Sequence, residues 1–109
     1  MKREVTANNY AREVLAAEFP VLVEFYAKWC PKCAMMEDVL TELARENENV
    51  IKVCQIDIDE SKNLAAEYQV EIVPTYVVFA QGVPLAMSSG VKDLQSLREM
   101  IQRTLETSS

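Results

Sequence analysis

Apolar and polar positions along the chain alternate between strand-like and helix-like patterns. Near-continuous apolar runs, rich in β-branched residues, are typical of buried strands. Between them, apolar residues recur at the spacing of one helix face. The pattern predicts strands over residues 21–27, 50–58, 75–80 and 83–87, and helices from residue 8 or 9 to about 18, from about 30 to 46, over 61–68 and from about 92 to 105.

The order of these elements predicts a fold class. It is approximately β-α-β-α-β-α-β-β-α, in which one further strand precedes the helix that begins at residue 8 or 9, and helices between strands imply parallel pairs. The tight turn at Gln81-Gly82 implies one antiparallel pair. We therefore expect an α/β protein whose central mixed parallel/antiparallel sheet is flanked by helices on both faces. The 109 residues should form a single domain, residues 1–109.

Composition and charge narrow the functional classes. Half of the residues are hydrophobic, which is enough for a core without disulfide bonds. The net charge of −6 argues against nucleic-acid binding, and the absence of histidine excludes enzymes that use it as a base or metal ligand. No run approaches the roughly 20 apolar residues of a membrane span, and polar residues interrupt any signal-like start. We expect a cytoplasmic protein without membrane association.

The segment Trp29-Cys30-Pro31-Lys32-Cys33 carries the candidate chemistry. In a reducing cytoplasm, a close cysteine pair is more often catalytic or metal-binding than structural. Here the pair follows a predicted strand and begins a predicted helix. Unpaired N–H groups at a helix N-terminus favour a thiolate, which is the species that attacks disulfides.

Three segments together resemble the thioredoxin family. They are residues 23–30 with Cys33, residues 56–60 followed by 68–70, and Val73-Pro74-Thr75, in the family's order and spacing. The resemblance covers residues 5–105 and implies the thioredoxin fold and a protein-disulfide reductase. It implies no bound cofactor or metal, but a redox-active disulfide, Cys30–Cys33. The implied partners are disulfide-containing proteins and an NADPH-dependent thioredoxin reductase, and nothing requires more than a monomer.

The resemblance also assigns catalytic roles. Cys30 should be an exposed nucleophile that forms a mixed disulfide, and Cys33, one helical turn inward, the buried resolving thiol. Glu24 matches the family's buried acidic position, where aspartate is commoner. A buried carboxyl of raised pKa can accept the proton of Cys33. The alternative is that Glu24 points to solvent from an edge strand.

Further residues match the family's substrate-binding positions. Pro74 should follow a cis peptide bond and hold the backbone of Val73 opposite Cys30, where a peptide can pair as an added strand; the alternative is a trans proline that opens a strand. Trp29 is expected on an apolar contact surface. Gly90 resembles a glycine that allows close backbone approach, or is only a turn before the last helix.

The dipeptide Pro31-Lys32 departs from the family's usual Gly-Pro and is closer to the glutaredoxin pattern. Pro31 stiffens the motif. A cation at Lys32 near the sulfurs would stabilise thiolate and give a less negative reduction potential, unless water screens it. The alternatives to a thioredoxin-type reductase are therefore a glutathione-linked, glutaredoxin-like enzyme and a non-catalytic binding module with the same fold.

Other departures and unassigned residues give further expectations. Asp38 replaces a helix-kinking proline, so the second helix should be straighter or bent by other means. Gln55 replaces a buried lysine, so Glu24 loses a cationic neighbour and its pKa should rise. Cys54 is interpreted as a packing residue, with a regulatory thiol or a third metal ligand as alternatives. Core packing is expected for four methionines: Met35, Met36, Met87 and Met100.

Overall fold

The computed structural model of the chain describes residues 2–108. A π-helical segment, Ala11–Leu15, precedes the first α-helix. The strands are β1 (Lys2–Glu4), β2 (Val21–Tyr26), β3 (Lys52–Asp57), β4 (Thr75–Ala80) and β5 (Val83–Ser89), and the helices are α1 (Pro31–Met35), α2 (Glu37–Glu46), α3 (Lys62–Glu67) and α4 (Leu94–Ser108).

The described strands form one mixed sheet in the order β1-β3-β2-β4-β5. β3 runs parallel to both β1 and β2, whereas β4 runs antiparallel to β2 and β5. The predicted mixed sheet is confirmed, but it contains a second antiparallel pair because β4 adds beside β2 rather than beside β3. Strand β2 is therefore central, and Glu24 lies between Gln55 on β3 and Tyr76 on β4.

Each face of the sheet packs its own cluster, so the expected two-sided arrangement is confirmed. On one face, Val23 and Phe25 pack with residues of the π-helical segment and α3. On the other, Leu22 and Tyr76 pack with residues of α2 and α4. Within residues 2–108, no helix is both long and apolar enough to cross a membrane.

The first predicted helix is wrong in type and length. Ala16 N–H donates to the carbonyl of Ala11 at 2.9 Å, the five-residue spacing of a π-helix. The Asn9 side chain accepts from the N–H of Thr6, upstream of it, at 2.8 Å rather than from a helix N–H. The helical turns consequently end at Leu15.

The second predicted helix is interrupted at Met36, without a proline. The N–H of Met36 donates to Cys33 at 3.0 Å, which tightens the last turn of α1, and Leu40 then donates to Met36 at 2.9 Å as α2 begins. Met36 itself is fully buried. This interruption separates the cysteine-bearing turn from the longer α2.

The prediction that four methionines pack in the core is correct for two of them. Met36 is buried and Met100 is partly buried against the same cluster. Met35 and Met87 are 64% and 51% exposed, so the expectation is wrong for both. Met87 lies on edge strand β5, and Met35 lies on the short α1 with its side chain exposed.

Two element ends also differ from the prediction. Strand β3 starts at Lys52 because the chain turns at Asn49, whose φ is 66°. Helix α4 starts at Leu94, after the Asp93 carboxylate accepts the N–H of Ser96 at 2.8 Å. This is a side-chain cap of the usual kind.

Candidate active site

The cysteine pair lies where β2 passes into α1. Cys30 is the N-cap residue of α1, and Pro31 occupies its first turn, where a missing N–H costs no hydrogen bond. The Cys30 Sγ accepts the N–H of Cys33 at 3.1 Å. Cys30 and Cys33 approach each other to within 2.6 Å, which is consistent with a redox-active pair. Both are free thiols in this structure.

Cys30 is less exposed than the sequence predicts. It is only 6% exposed and packs with Ala27 and Cys33, while Tyr26 and Val73 border the cluster. Its thiol donates to the carbonyl of Val73 at 3.7 Å. The expectation of an exposed nucleophile is therefore wrong for this state of the molecule, because the segment before Pro74 covers the sulfur.

Cys33 is buried, as expected, and needs a base. It is 3% exposed. Burial, followed by the hydrogen bond to Cys30, raises the pKa of its thiol to about 12. At neutral pH the thiol is therefore protonated until another group accepts its proton.

Glu24 is a buried carboxyl group whose negative charge contributes to the raised pKa of the Cys33 thiol. It is fully buried, and because β2 is central the edge-strand alternative is wrong. Burial raises its pKa from 4.5 to about 7, although a hydrogen bond from the Gln55 amide to Oε1, at 2.9 Å, acts in the opposite direction. A carboxyl with this pKa can both accept and release a proton near neutral pH.

The Gln55 amide connects Glu24 to an ion pair that sequence analysis missed. Its Nε2 also donates to Glu37 Oε1 at 3.0 Å, and Lys2 Nζ lies 2.5 Å from Glu37 Oε2. Burial would raise the pKa of Glu37, but the hydrogen bonds from Lys2 and Gln55 outweigh it and hold that pKa below its usual value.

This network modifies the expectation that Glu24 lacks a cationic neighbour. The negative charge of Glu37 raises the pKa of Glu24, and the positive charge of Lys2 lowers it. Lys2 thus takes part of the role of the missing lysine from a different strand. Lys2, Glu37 and Gln55 come from β1, α2 and β3, respectively, and no local sequence pattern joins them.

The loop opposite Cys30 has the expected backbone. The Val73–Pro74 peptide bond is cis, as predicted. The N–H of Gly90 donates to the carbonyl of Pro74 at 2.9 Å, and its φ of 96° favours glycine. A Cβ added at Gly90 would meet no atom within 4 Å, so the expectation of a close backbone approach is wrong, and the positive φ alone accounts for the glycine. The hydrogen bond to Pro74 joins the end of β5 to the loop that faces Cys30.

Comparison with known proteins decides the family. The thioredoxin family model matches residues 1–103. The chain belongs to the thioredoxin family. It is 32% identical to a thioredoxin of Rickettsia felis over 96% of this chain and all of that protein, and 33% identical to thioredoxin 1 of a Nostoc species over 94% and 95%. It is also 38% identical to a bifunctional thioredoxin reductase/thioredoxin of Mycobacterium leprae, over 86% of this chain and 20% of that protein.

Membership makes the chain a thiol-disulfide oxidoreductase of the disulfide-reducing, thioredoxin type. The glutaredoxin-like alternative rests only on the dipeptide Pro31-Lys32. Both residues are exposed on α1. The Lys32 side chain is thus placed where water screens its charge.

Exposed apolar side chains adjoin the site in this member of the thioredoxin family. Trp29 is 66% exposed, and its indole N–H donates to Asp59 Oδ2 at 2.8 Å. Ile72 and Val91 are 62% and 45% exposed and lie next to Val73 and Gly90 in the chain. Trp29 is thus exposed, as an apolar contact surface requires, and its indole ring is fixed at its polar end.

Cys54 is separate from the reactive pair. It is fully buried on the opposite face of the sheet, in the cluster that contains Val23 and Phe25. Burial raises the pKa of its thiol to about 11. The interpretation of a packing residue is confirmed. In the part of the chain that the structure describes, no group of three acidic, cysteine or histidine side chains could hold a metal ion.

Proposed function

We propose that the chain reduces protein disulfides with Cys30 as the nucleophile, Cys33 as the resolving thiol and Glu24 as the proton acceptor for Cys33. The observation that carries the proposal is the placement of the thiol pair at the start of α1, together with the buried Glu24 carboxyl, whose charge acts on the Cys33 thiol. No bound cofactor is required, because the two cysteines themselves carry the electrons.

The reaction has two exchange steps. The Cys30 thiolate attacks one sulfur of the substrate disulfide, and the other leaves as a thiolate. Cys33 then gives its proton to Glu24, and its thiolate attacks Cys30. The Cys30–Cys33 disulfide forms, the second substrate thiolate leaves, and the substrate has gained two electrons.

The Val73 segment is proposed as the docking site for an extended stretch of substrate. The Val73 carbonyl lies over Cys30, so a substrate strand that pairs there displaces the contact that covers the sulfur. Pro74 and Gly90 fix this segment, and Trp29 supplies apolar contact area beside it.

Regeneration of the dithiol is proposed to use an NADPH-dependent thioredoxin reductase. The Mycobacterium leprae relative, whose name joins the two activities in one protein, supports this partner. We further propose that the chain works as a monomer in the cytoplasm, where a reducing pool suits such a reductase.

The test is insulin reduction coupled to NADPH oxidation by a thioredoxin reductase. Wild type and the matched control Cys54→Ser should both turn over, whereas Cys30→Ser and Cys33→Ser should fall to background. Turnover by Cys30→Ser would contradict the proposal. Turnover with glutathione and glutathione reductase alone would favour the glutaredoxin-like alternative, and partner binding that survives Cys30→Ser with Cys33→Ser would favour a binding module.

A further inference from the structure

Tyr76 is a buried polar residue that the chemistry above does not use. It is fully buried, and its hydroxyl has no hydrogen-bond partner among the described residues. Glu24 Oε2 is likewise buried and unpartnered within residues 2–108, because Gln55 binds only Oε1. Unpaired buried polar atoms are rare since each loses its hydrogen bonds to water. Two of them therefore call for a common explanation.

The sheet places these two groups together. Glu24 on β2 and Tyr76 on β4 are direct cross-strand partners, so both side chains stand on the same face. Leu22 and Met36 belong to the apolar cluster around the tyrosine ring, and its α4 members Leu97 and Ile101 are also apolar. The two side chains are thus neighbours in a mostly apolar setting, and the Tyr76 hydroxyl and Glu24 Oε2 are not hydrogen-bonded to each other in this structure.

The charges around the phenol belong to the reacting groups. Burial, followed by the negative charges of Glu24, Cys33 and Cys30, raises the pKa of Tyr76. The phenol consequently stays protonated at neutral pH, and a protonated phenol donates to an anionic acceptor. Three other ionisable groups also act on the pKa of Glu24: Glu37 from α2, and Lys2 and Glu4 from β1.

We propose that Tyr76 is a positioning residue for the proton transfer between Cys33 and Glu24, its hydroxyl donating to Glu24 Oε2, directly or through one buried water, while Glu24 is ionised. The inference rests on the proposed role of Glu24. With Gln55 on Oε1 and Tyr76 on Oε2, the carboxylate is held by a donor at each oxygen. When the proton of Cys33 arrives, the phenol hydrogen can rotate away without breaking a covalent bond.

The test is the variant Tyr76→Phe, which keeps the ring and removes the hydroxyl. Loss of a donor to the ionised form should raise the pKa of Glu24 by about one unit, followed through its side-chain carboxyl carbon by NMR. The pH dependence of disulfide reduction should move upward by the same amount. Tyr10→Phe is the matched control, because the Tyr10 hydroxyl is paired with Tyr68 in the other cluster. It should leave both measurements unchanged.

Identical titrations in wild type and folded Tyr76→Phe would overturn the inference, as would an equal shift in Tyr10→Phe. If Tyr76→Phe does not fold, the wild type decides: the Tyr76 Cζ resonance should move with the titration of Glu24, and a Cζ resonance that ignores it would overturn the inference. Failure of the proposed function is distinguishable, since the reduction rate of Glu24→Gln would then follow the wild-type pH profile.

Discussion

Strand β2 buries both of its faces, but the two faces have different chemistry. Val23 and Phe25 face a cluster whose buried members are mostly apolar and which includes the inert thiol of Cys54. The opposite face carries Glu24, fully buried beside Tyr76 and hydrogen-bonded to Gln55. Burial on the apolar face therefore stabilises the fold by packing. Equal burial on the other face disfavours the charged form of the Glu24 carboxyl.

The difference shows where this fold accepts a loss of stability for function. Burial of an apolar side chain stabilises the folded state. Burial of a carboxyl group disfavours its ionised form and so raises its pKa towards neutrality. The Glu24 face therefore holds a group that can take a proton from Cys33 at working pH. The predictions below treat the two faces as opposites, in order of decreasing expected effect.

Truncation on the apolar face should give the largest change. Phe25→Ala removes a fully buried ring that packs near Tyr68, and should lower the free energy of unfolding by about 3–5 kcal/mol. Chemical denaturation measures it. A loss of less than about 1 kcal/mol would show that this face is not closely packed.

On the other face, Glu24→Gln should stabilise the protein, and only at higher pH. The pKa of Glu24 is about 7 when folded against an ordinary 4.5. Between these values the folded state binds more protons, so wild-type stability falls as pH rises and levels off above 7. The gain on substitution should be near zero at pH 4 and about 3 kcal/mol at pH 8.

The measurement is the free energy of unfolding of wild type and Glu24→Gln at a series of pH values. A difference that does not depend on pH would contradict the assignment of a raised pKa to Glu24. Glu99→Gln, on the exposed side of α4, is a control that should show no comparable trend.

Gln55→Lys should lower the pKa of Glu24 by at least about one unit, because it places a cation between Glu24 and Glu37 in place of a neutral donor. Carboxyl NMR titration measures the shift. Gln102→Lys adds the same charge on the exposed face of α4 and should leave Glu24 unchanged. If the pKa of Glu24 is unchanged in Gln55→Lys, a charge at position 55 does not act on the Glu24 carboxyl, which would contradict the observed hydrogen bond.

The smallest expected effect is at Lys32. Removing its charge with Lys32→Gly should make the Cys30–Cys33 potential more negative by no more than about 20 mV, because the side chain is exposed. Equilibration with thiol/disulfide buffers and alkylation measures it. A less negative potential, or one that falls by well over about 20 mV, would contradict this expectation.

Sequence alone predicts the parts of the site that are local or carried by family motifs. The Cys30–Cys33 pair, the burial of Glu24 and the cis bond before Pro74 all follow from short segments of apolar pattern or motif. The mixed sheet follows from the order of strands and helices. Their common property is that each needs only a stretch of neighbouring residues.

The missed features depend on contacts between distant elements. Lys2 and Glu37 meet because β1 joins β3 beneath the start of α2. Tyr76 faces Glu24 because β4 adds antiparallel to β2, which the alternation of strands and helices does not predict. Burial of Cys30 depends on the Val73 carbonyl, 43 positions away in the chain. No periodicity in the sequence encodes these pairings.

The central claim, that the buried carboxyl on one face of β2 activates Cys33, is tested most directly by the resolving step itself. Reaction of the dithiol with an aromatic disulfide reagent in a stopped-flow instrument releases one chromophore as Cys30 attacks and a second as Cys33 resolves. The rate of the second release should rise with pH through about 7 in wild type, and this rise should be lost in Glu24→Gln. An identical pH profile in both proteins would contradict the account.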